Sequence, residues 1–340
     1  MTAWCCTADR RMLKTIWAIW ERGAAGMQSQ ALGLAEALFT TEGFAMPEGF
    51  EVALRAPQRW LPMHPFFADM GALSPDTLAP IMAQVEKQGW PDLLIASGRK
   101  AAFAALAIRK ASGGKTRTVL TQDPRSNPRY WDILVVPEHD HVRGPNVLLT
   151  NGALHRVTKF KLDSGADAIR AECARIPSPR VAVLIGGSNR NYTLDEDWMR
   201  EFVGQLRRMT ERSGCGILAT VSRRTGEAEA SILRGGLASL PAILWDGQGP
   251  NPYFGFLGLA DAIVVTSESI SMISEACSTG KPVLVARLPG RSKRFEQFYD
   301  SLLRRGLIQW FDGRLMQWEN TRIDDMDHIA RDIRDRLGWA

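Results

Sequence analysis

Three short segments hold residues that can grip an anion. In VLIGGSNRNY (183–192), three apolar residues run into Gly186, Gly187, Ser188 and Asn189. Glycines let a phosphate approach the backbone, the following N–H groups can point at it, and Ser188 and Asn189 add side-chain donors. A tight strand-to-helix turn would use the same residues. In TSESISMISEACSTGKPVLV (266–285), Ser267, Ser269 and Ser271 cluster between a strand pattern and a helix pattern. Hydroxyls at a helix start favour a diphosphate. Glu275 follows Ser271 by four residues, on the same side of the helix, where a carboxylate can accept both hydroxyls of a ribose. A serine N-cap with an early glutamate is the plain alternative. In VSRRTG (221–226), Ser222, Arg223 and Arg224 follow another strand. Arginine can clamp phosphate through two parallel hydrogen bonds, or it can simply line a solvated loop.

A further loop, ARLPGRSKRF (286–295), carries Arg287, Arg291, Lys293 and Arg294 without an acid. It suits a diphosphate, an anionic lipid surface or plain solvent exposure. Taking a proton from a hydroxyl requires a base. The candidates are His139 and Asp140, in PEHDH (137–141), and Asp123, in TQDPRSN (121–127). His139 and Asp140 are adjacent and so point apart. His155 reads as structural. His139 and His141 lack a third metal ligand, and the acidic run 195–197 opens a helix whose dipole it offsets, so no metal is expected. ERGAAGMQSQ (21–30) lacks the full G-x-G-x-x-G spacing, which disfavours a dinucleotide site.

These segments need a scaffold that brings strand ends together. Apolar runs such as 15–20, 92–97, 132–137, 180–187, 216–222, 262–267 and 282–288 alternate with helical patterns, the signature of βαβ units around parallel sheets. The chain of 340 residues is long enough for two such domains. A helix over 158–179 is predicted as the linker between them. The predicted layout is a tail at 1–11, an N-terminal α/β domain at 12–157, a C-terminal ligand-binding α/β domain at 178–320, and a closing helix at 321–340 packing back across the domains. The fold class is α/β, with two doubly wound Rossmann-like domains facing across a cleft, where strand C-termini bind ligands.

Apolar residues at 45% and charged residues at 23% are ordinary for a globular chain. A net charge of +5 is too small to argue for nucleic acid, but it suits an anionic ligand or an anionic membrane surface. The five cysteines are scattered without C-x-x-C, which argues against disulfides and zinc and for a reducing compartment. No apolar run approaches the roughly 20 residues that cross a bilayer.

The glycine turn after the first strand of the second half, together with S-x-x-x-x-SEA-x-x-x-GKPVL (269–284), resembles the donor half of GT-B-type glycosyltransferases. More specifically, GMQSQALGLAEAL (26–38), VVPEHD (135–140), GPNVLLTNGALHRV (144–157), GGSNRNY (186–192) and VSRRTG (221–226) resemble the mitochondrial-fission "elongated mitochondria" family and its bacterial relatives. Two departures stand out: Gln28-Ser29 replaces an acidic-amide pair, and Gly226 stands where proline is usual. The resemblance implies a metal-independent transferase without a resident cofactor. Its donor would be a nucleotide-diphosphate sugar, and its acceptor an unidentified lipid-linked or cell-envelope glycan. It would act in the cytoplasm, with peripheral contact at the inner face of the membrane. In that group Glu275 would hold the ribose and Gly186–Ser188 would face the diphosphate. WDGQGPNPY (245–253) is where the nucleotide base would rest. Two other functions stay open: a non-catalytic adaptor that keeps the fold, as the plant members suggest, and a sugar-nucleotide epimerase.

Overall fold

The computed structural model describes residues 13–40, 43–55, 63–323 and 325–339. The predicted tail at 1–11 lies outside the described residues. The chain divides into two compact units. One gathers the described residues up to Val136, residues 142–150 and those from Met326 on; the other gathers 137–141 and 151–325.

The first unit is built on a six-stranded sheet. Its strands are β1 (Ile16–Glu21), β2 (Glu48–Val52), β3 (Leu93–Ser97), β4 (Arg117–Leu120), β5 (Ile133–Pro137) and β6 (Val147–Thr150), in the order β2-β1-β3-β4-β5-β6. The pairings from β2 to β5 are parallel. Every residue of β3 and β5 is buried, as expected of strands covered on both faces. Helices α1 (Ala25–Phe39), α2 (Pro75–Gln88) and α3 (Arg99–Ala111) make the crossovers. Alanines at 101, 102, 104, 105 and 107 are buried, so α3 packs closely on the sheet.

The second unit repeats the scheme with β7 (Arg180–Ile185), β8 (Gly216–Val221), β9 (Ala242–Trp245), β10 (Ala262–Thr266), β11 (Val283–Ala286) and β12 (Gln309–Trp310). Their order is β12-β11-β10-β7-β8-β9, parallel throughout. This is the doubly wound order, and it reverses between β7 and β10. The helices are α4 (Lys159–Ile169), α5 (Glu196–Ser213), α6 (Glu227–Leu237), α7 (Tyr253–Leu259), α8 (Ile270–Cys277) and α9 (Lys293–Arg304). Two cores flank the sheet: one around Leu184, Ile263 and Phe298, the other around Val183, Phe202 and Leu284. Alternate residues of β7 point to opposite faces, so Val183 and Leu184 feed different cores. Among the described residues no helix is long and apolar enough to cross a membrane.

One predicted element differs from the fold. The helix predicted over 158–179 stops at Ile169 and is followed by a short 3₁₀ turn, Glu172–Arg175. It is no linker: α4 packs on α7 within the second unit. Glycines make that contact close, because a Cβ on Gly165 would lie 2.8 Å from the Gly255 nitrogen. The closing helix α10 (Met326–Leu337) belongs to the first unit, against α1. After it Trp339 packs tilted against Phe44 (5.8 Å between centroids), with the Lys14 ammonium over its ring.

Candidate functional site

The switch point of the second sheet lies between β7 and β10, and the loops after β7, β8 and β10 meet there. Ligands in open parallel sheets bind outside strand C-termini at such a point. The Gly186 amide donates to Thr266 Oγ1 at 2.9 Å, and the Gly187 amide donates to Glu268 Oε1 at 3.1 Å. A Cβ on Gly186 would overlap Glu268 Oε1, and one on Gly187 would overlap the carbonyl oxygen of Arg224. Both glycines are therefore required by close approach from inside the protein. The nearest anion to this loop is the protein's own carboxylate.

Glu268 is the residue that sequence reasoning missed. Its side chain has no solvent exposure, and Oε2 has no hydrogen-bond partner among the described residues. Burial pushes its carboxyl above the usual range, against the pull of the Thr266 hydroxyl, Arg224 and the Gly187 amide. Arg224, nearly half exposed, places Nη2 3.4 Å from Glu268 Oε1 and Nη1 3.3 Å from the Gly187 carbonyl. The Thr225 hydroxyl donates to the Gly186 carbonyl, which ties the β8 loop to the glycine loop. The one sequence cue to Glu268 was its place between Ser267 and Ser269, as an acid directly after a buried strand.

The predicted hydroxyls are largely spent on the backbone. Ser188 Oγ accepts from the Leu194 amide (2.9 Å) and donates to its carbonyl (3.0 Å). Asn189 Oδ1 accepts from the amides of Asn191 and Tyr192, and its Nδ2 donates to the Glu268 carbonyl. Ser222 Oγ accepts from the Arg224 amide. Ser267 Oγ accepts from the Leu288 amide at 3.0 Å. Ser269 is the N-cap of α8 and takes the Met272 amide at 3.3 Å. Ser271 lies in the first turn of that helix, half-buried. These bonds shape the loops, so ligand binding would fall to backbone amides and arginines. Arg223 and Arg291 are exposed. The Arg291 amide donates to Asn191, joining the loop after β11 to the glycine loop.

Glu275 lies one turn further along α8, buried, and its Oε2 accepts from the Tyr253 hydroxyl at 2.6 Å. Burial beside this carboxylate pushes the Tyr253 phenol well above its ordinary range, so the tyrosine stays a donor. Tyr253 opens α7, directly after the loop 246–252.

The candidate bases fall in both units: Asp123 in the first, His139 and Asp140 in the second. Residues 137–141 leave β5 and group with the second unit, on α9. There Asp140 makes a fork with Arg294, Oδ1 to Nε at 2.8 Å and Oδ2 to Nη2 at 2.9 Å. The Arg294 guanidinium thus holds the buried Asp140 carboxylate in a two-pronged ion pair. The His139 side chain is buried against Phe298, with ring centroids 5.3 Å apart. Burial, helped by Arg294 and His141, lowers its pKa to about 4. Asp123 lies in the first unit, where Oδ1 accepts the Arg125 amide at 2.7 Å. His155 is buried in the second unit. Of the basic loop, Arg287 stacks on Trp310 at 3.7 Å and Arg294 holds Asp140. Among the described residues no cluster of three or more His, Cys, Asp or Glu could hold a metal ion.

With this geometry in place, the model of the family described as mitochondrial fission ELM1 matches residues 25–337. The chain belongs to that family. It is 32% identical over 286 residues to the mitochondrial fission protein ELM1 of Arabidopsis thaliana, covering 75% of this chain and 66% of that protein. It is 24% identical to an uncharacterized Rickettsia prowazekii protein over 67% of this chain and 74% of that one. Both units together resemble the UDP-GlcNAc 2-epimerase of Methanocaldococcus jannaschii, with a TM-score of 0.56, 13% identity, and coverage of 96% of this chain and all of the other. The UDP-GlcNAc 2-epimerase of Neisseria meningitidis matches at TM-score 0.50 and 12% identity, over 96% of this chain and 92% of its own. At such low identity the likeness establishes the two Rossmann-like domains of the fold and nothing finer.

Proposed function

We propose that the second unit binds the diphosphate of a nucleotide sugar and that the protein transfers the sugar to an acceptor hydroxyl. The observation that best supports this reading is the meeting of the glycine loop, Arg224 and the start of α8 at one switch point. In the proposed reaction the acceptor oxygen bonds to the anomeric carbon as the bond from that carbon to the diphosphate breaks, and the acceptor hydroxyl's proton passes to the departing diphosphate. Charge on the leaving diphosphate would be met by the N–H groups at the start of α8 and by Arg223, Arg224 and Arg291, without a metal. Glu275 would hold the ribose, oriented by the Tyr253 hydroxyl. Glu268 would have to take up a proton or turn aside, since its carboxylate already fills the Gly187 amide. A structural relative was captured in complex with UDP-GlcNAc and UDP, which makes uridine diphosphate the natural probe. An acceptor carried on a membrane would put the reaction at the cytoplasmic face.

A second reading, a non-catalytic adaptor, is favoured by one observation: Asp140 is tied to Arg294 and His139 is walled in by Phe298. The Arabidopsis relative's name as a fission protein points the same way. Calorimetric titration with UDP and UDP-sugars, followed by mass spectrometry of the donor with and without acceptor lipids, separates the readings. Consumption only with an acceptor supports transfer. Conversion without one identifies an epimerase, and binding without conversion supports the adaptor. If no nucleotide binds, the site reading fails.

A further inference from the structure

A second site lies in the first unit. A cavity of about 340 Å³ is lined by Pro65, Leu106, Arg109, Lys110, Arg129 and Tyr130, with no carboxylate in its wall. Arg109 Nη1 donates to the Tyr130 carbonyl at 2.9 Å and lies 3.6 Å from Asp132 Oδ2. Lys110 Nζ donates to the Ala68 carbonyl at 3.3 Å. Arg129 is exposed, and its guanidinium has no partner among the described residues. Arg109 is thus held by a carbonyl and by Asp132, a carboxylate it shares with Arg117, while Lys110 is held by a carbonyl alone, and Arg129 is available to close on a ligand. Such a pocket suits a phosphate, which arginine can meet with two parallel hydrogen bonds.

The rim of the pocket is apolar. Beside Pro65, Phe66 is 76% exposed and Phe67 43% exposed, with ring centroids 5.2 Å apart and edge to face. His64 packs on both Phe67 (6.2 Å) and Tyr130 (5.0 Å), so one aromatic wall runs from the exposed pair into the cavity. A free phosphate would use the cations and leave the phenylalanines in water. A lipid headgroup uses both, because aromatic rings settle at the membrane interface while the anionic leaflet draws in basic side chains.

We propose that this cavity seats the phosphate of an anionic lipid headgroup, with Phe66 and Phe67 entering the interfacial layer. The proposal is independent of any nucleotide site. The test is co-sedimentation of the full chain with phosphatidylcholine vesicles, with and without phosphatidylglycerol. It compares wild type with Phe66→Ser/Phe67→Ser and with Lys110→Ala/Arg129→Ala. All four side chains are exposed, and an unchanged melting transition confirms folding. The proposal expects binding that depends on phosphatidylglycerol and falls about tenfold or more in each double variant. It is overturned if wild type binds neutral vesicles equally well. It is overturned also if both double variants bind like wild type while Arg291→Ala/Lys293→Ala does not. Capture of soluble glycerol phosphate in the cavity without vesicle binding would overturn it in favour of a small-molecule phosphate site.

Discussion

Replacing Glu268 with glutamine isolates the most unusual feature of the switch point. The carboxylate is fully buried, and Oε1 lies 3.1 Å from the Gly187 amide that a diphosphate would use. A phosphate oxygen taking that amide at an ordinary hydrogen-bond length would stand roughly 5 Å from the carboxylate. At an effective dielectric constant of about 20, one unit-charge pair at that distance repels by about 3 kcal/mol, or about two decades in affinity. Arg224, 3.4 Å from the same oxygen, offsets part of this. Glu268→Gln keeps an acceptor for the Gly187 amide and removes the charge. Affinity for UDP, measured by calorimetry at pH 8, is therefore expected to rise about tenfold to a hundredfold. Burial raises the Glu268 pKa, so the carboxyl protonates early on acidification, and the ratio of variant to wild-type affinity should shrink toward one as pH falls. Taking the ratio cancels the titration of UDP itself. A folded variant that binds UDP no better than wild type, or a ratio indifferent to pH, would refute the idea that Glu268 guards the glycine loop.

Other residues give sharp expectations. Tyr253→Phe removes the 2.6 Å hydrogen bond to Glu275 and should cost about 1.5–3 kcal/mol in urea denaturation. If Glu275 holds the ribose, the same variant should weaken UDP about tenfold and leave inorganic pyrophosphate binding unchanged. Arg294→Ala strands the buried Asp140 and should destabilise by about 3 kcal/mol, with Asp140→Asn/Arg294→Ala recovering most of the loss. His139 is neutral in the fold, with a pKa lowered from 6.5 to about 4, so its contribution is complete above pH 6.5 and is lost as pH falls through 4. Wild type should therefore lose up to about 3 kcal/mol more than His139→Phe across that window, read from unfolding curves at stepped pH.

The sequence alone carried the α/β class, because buried parallel strands and their crossover helices leave local marks. IWAIW, LLIAS and VAVLI are apolar runs of strand length, and the serines and glycines that follow mark strand ends. It also picked out the glycine loop, Arg224, Ser269 and Glu275 as residues at strand and helix edges. Only the tertiary structure decided what those edges hold. Glu268 reads as one acid among serines until β10 pairs with β7 and brings it under glycines some 80 residues away. Asp140 reads as a candidate base, and only the fold shows that Arg294, 154 positions on, clasps it. Residues 158–179 read as a linking helix, whereas the fold ends that helix at Ile169 and packs it on α7, where Gly165 meets Gly255. Periodicity reports which face of a segment is buried; it is silent about which distant residue fills the space beside that face. That choice belongs to strand order and close packing, and at this switch point it replaced an open phosphate cradle with a buried carboxylate.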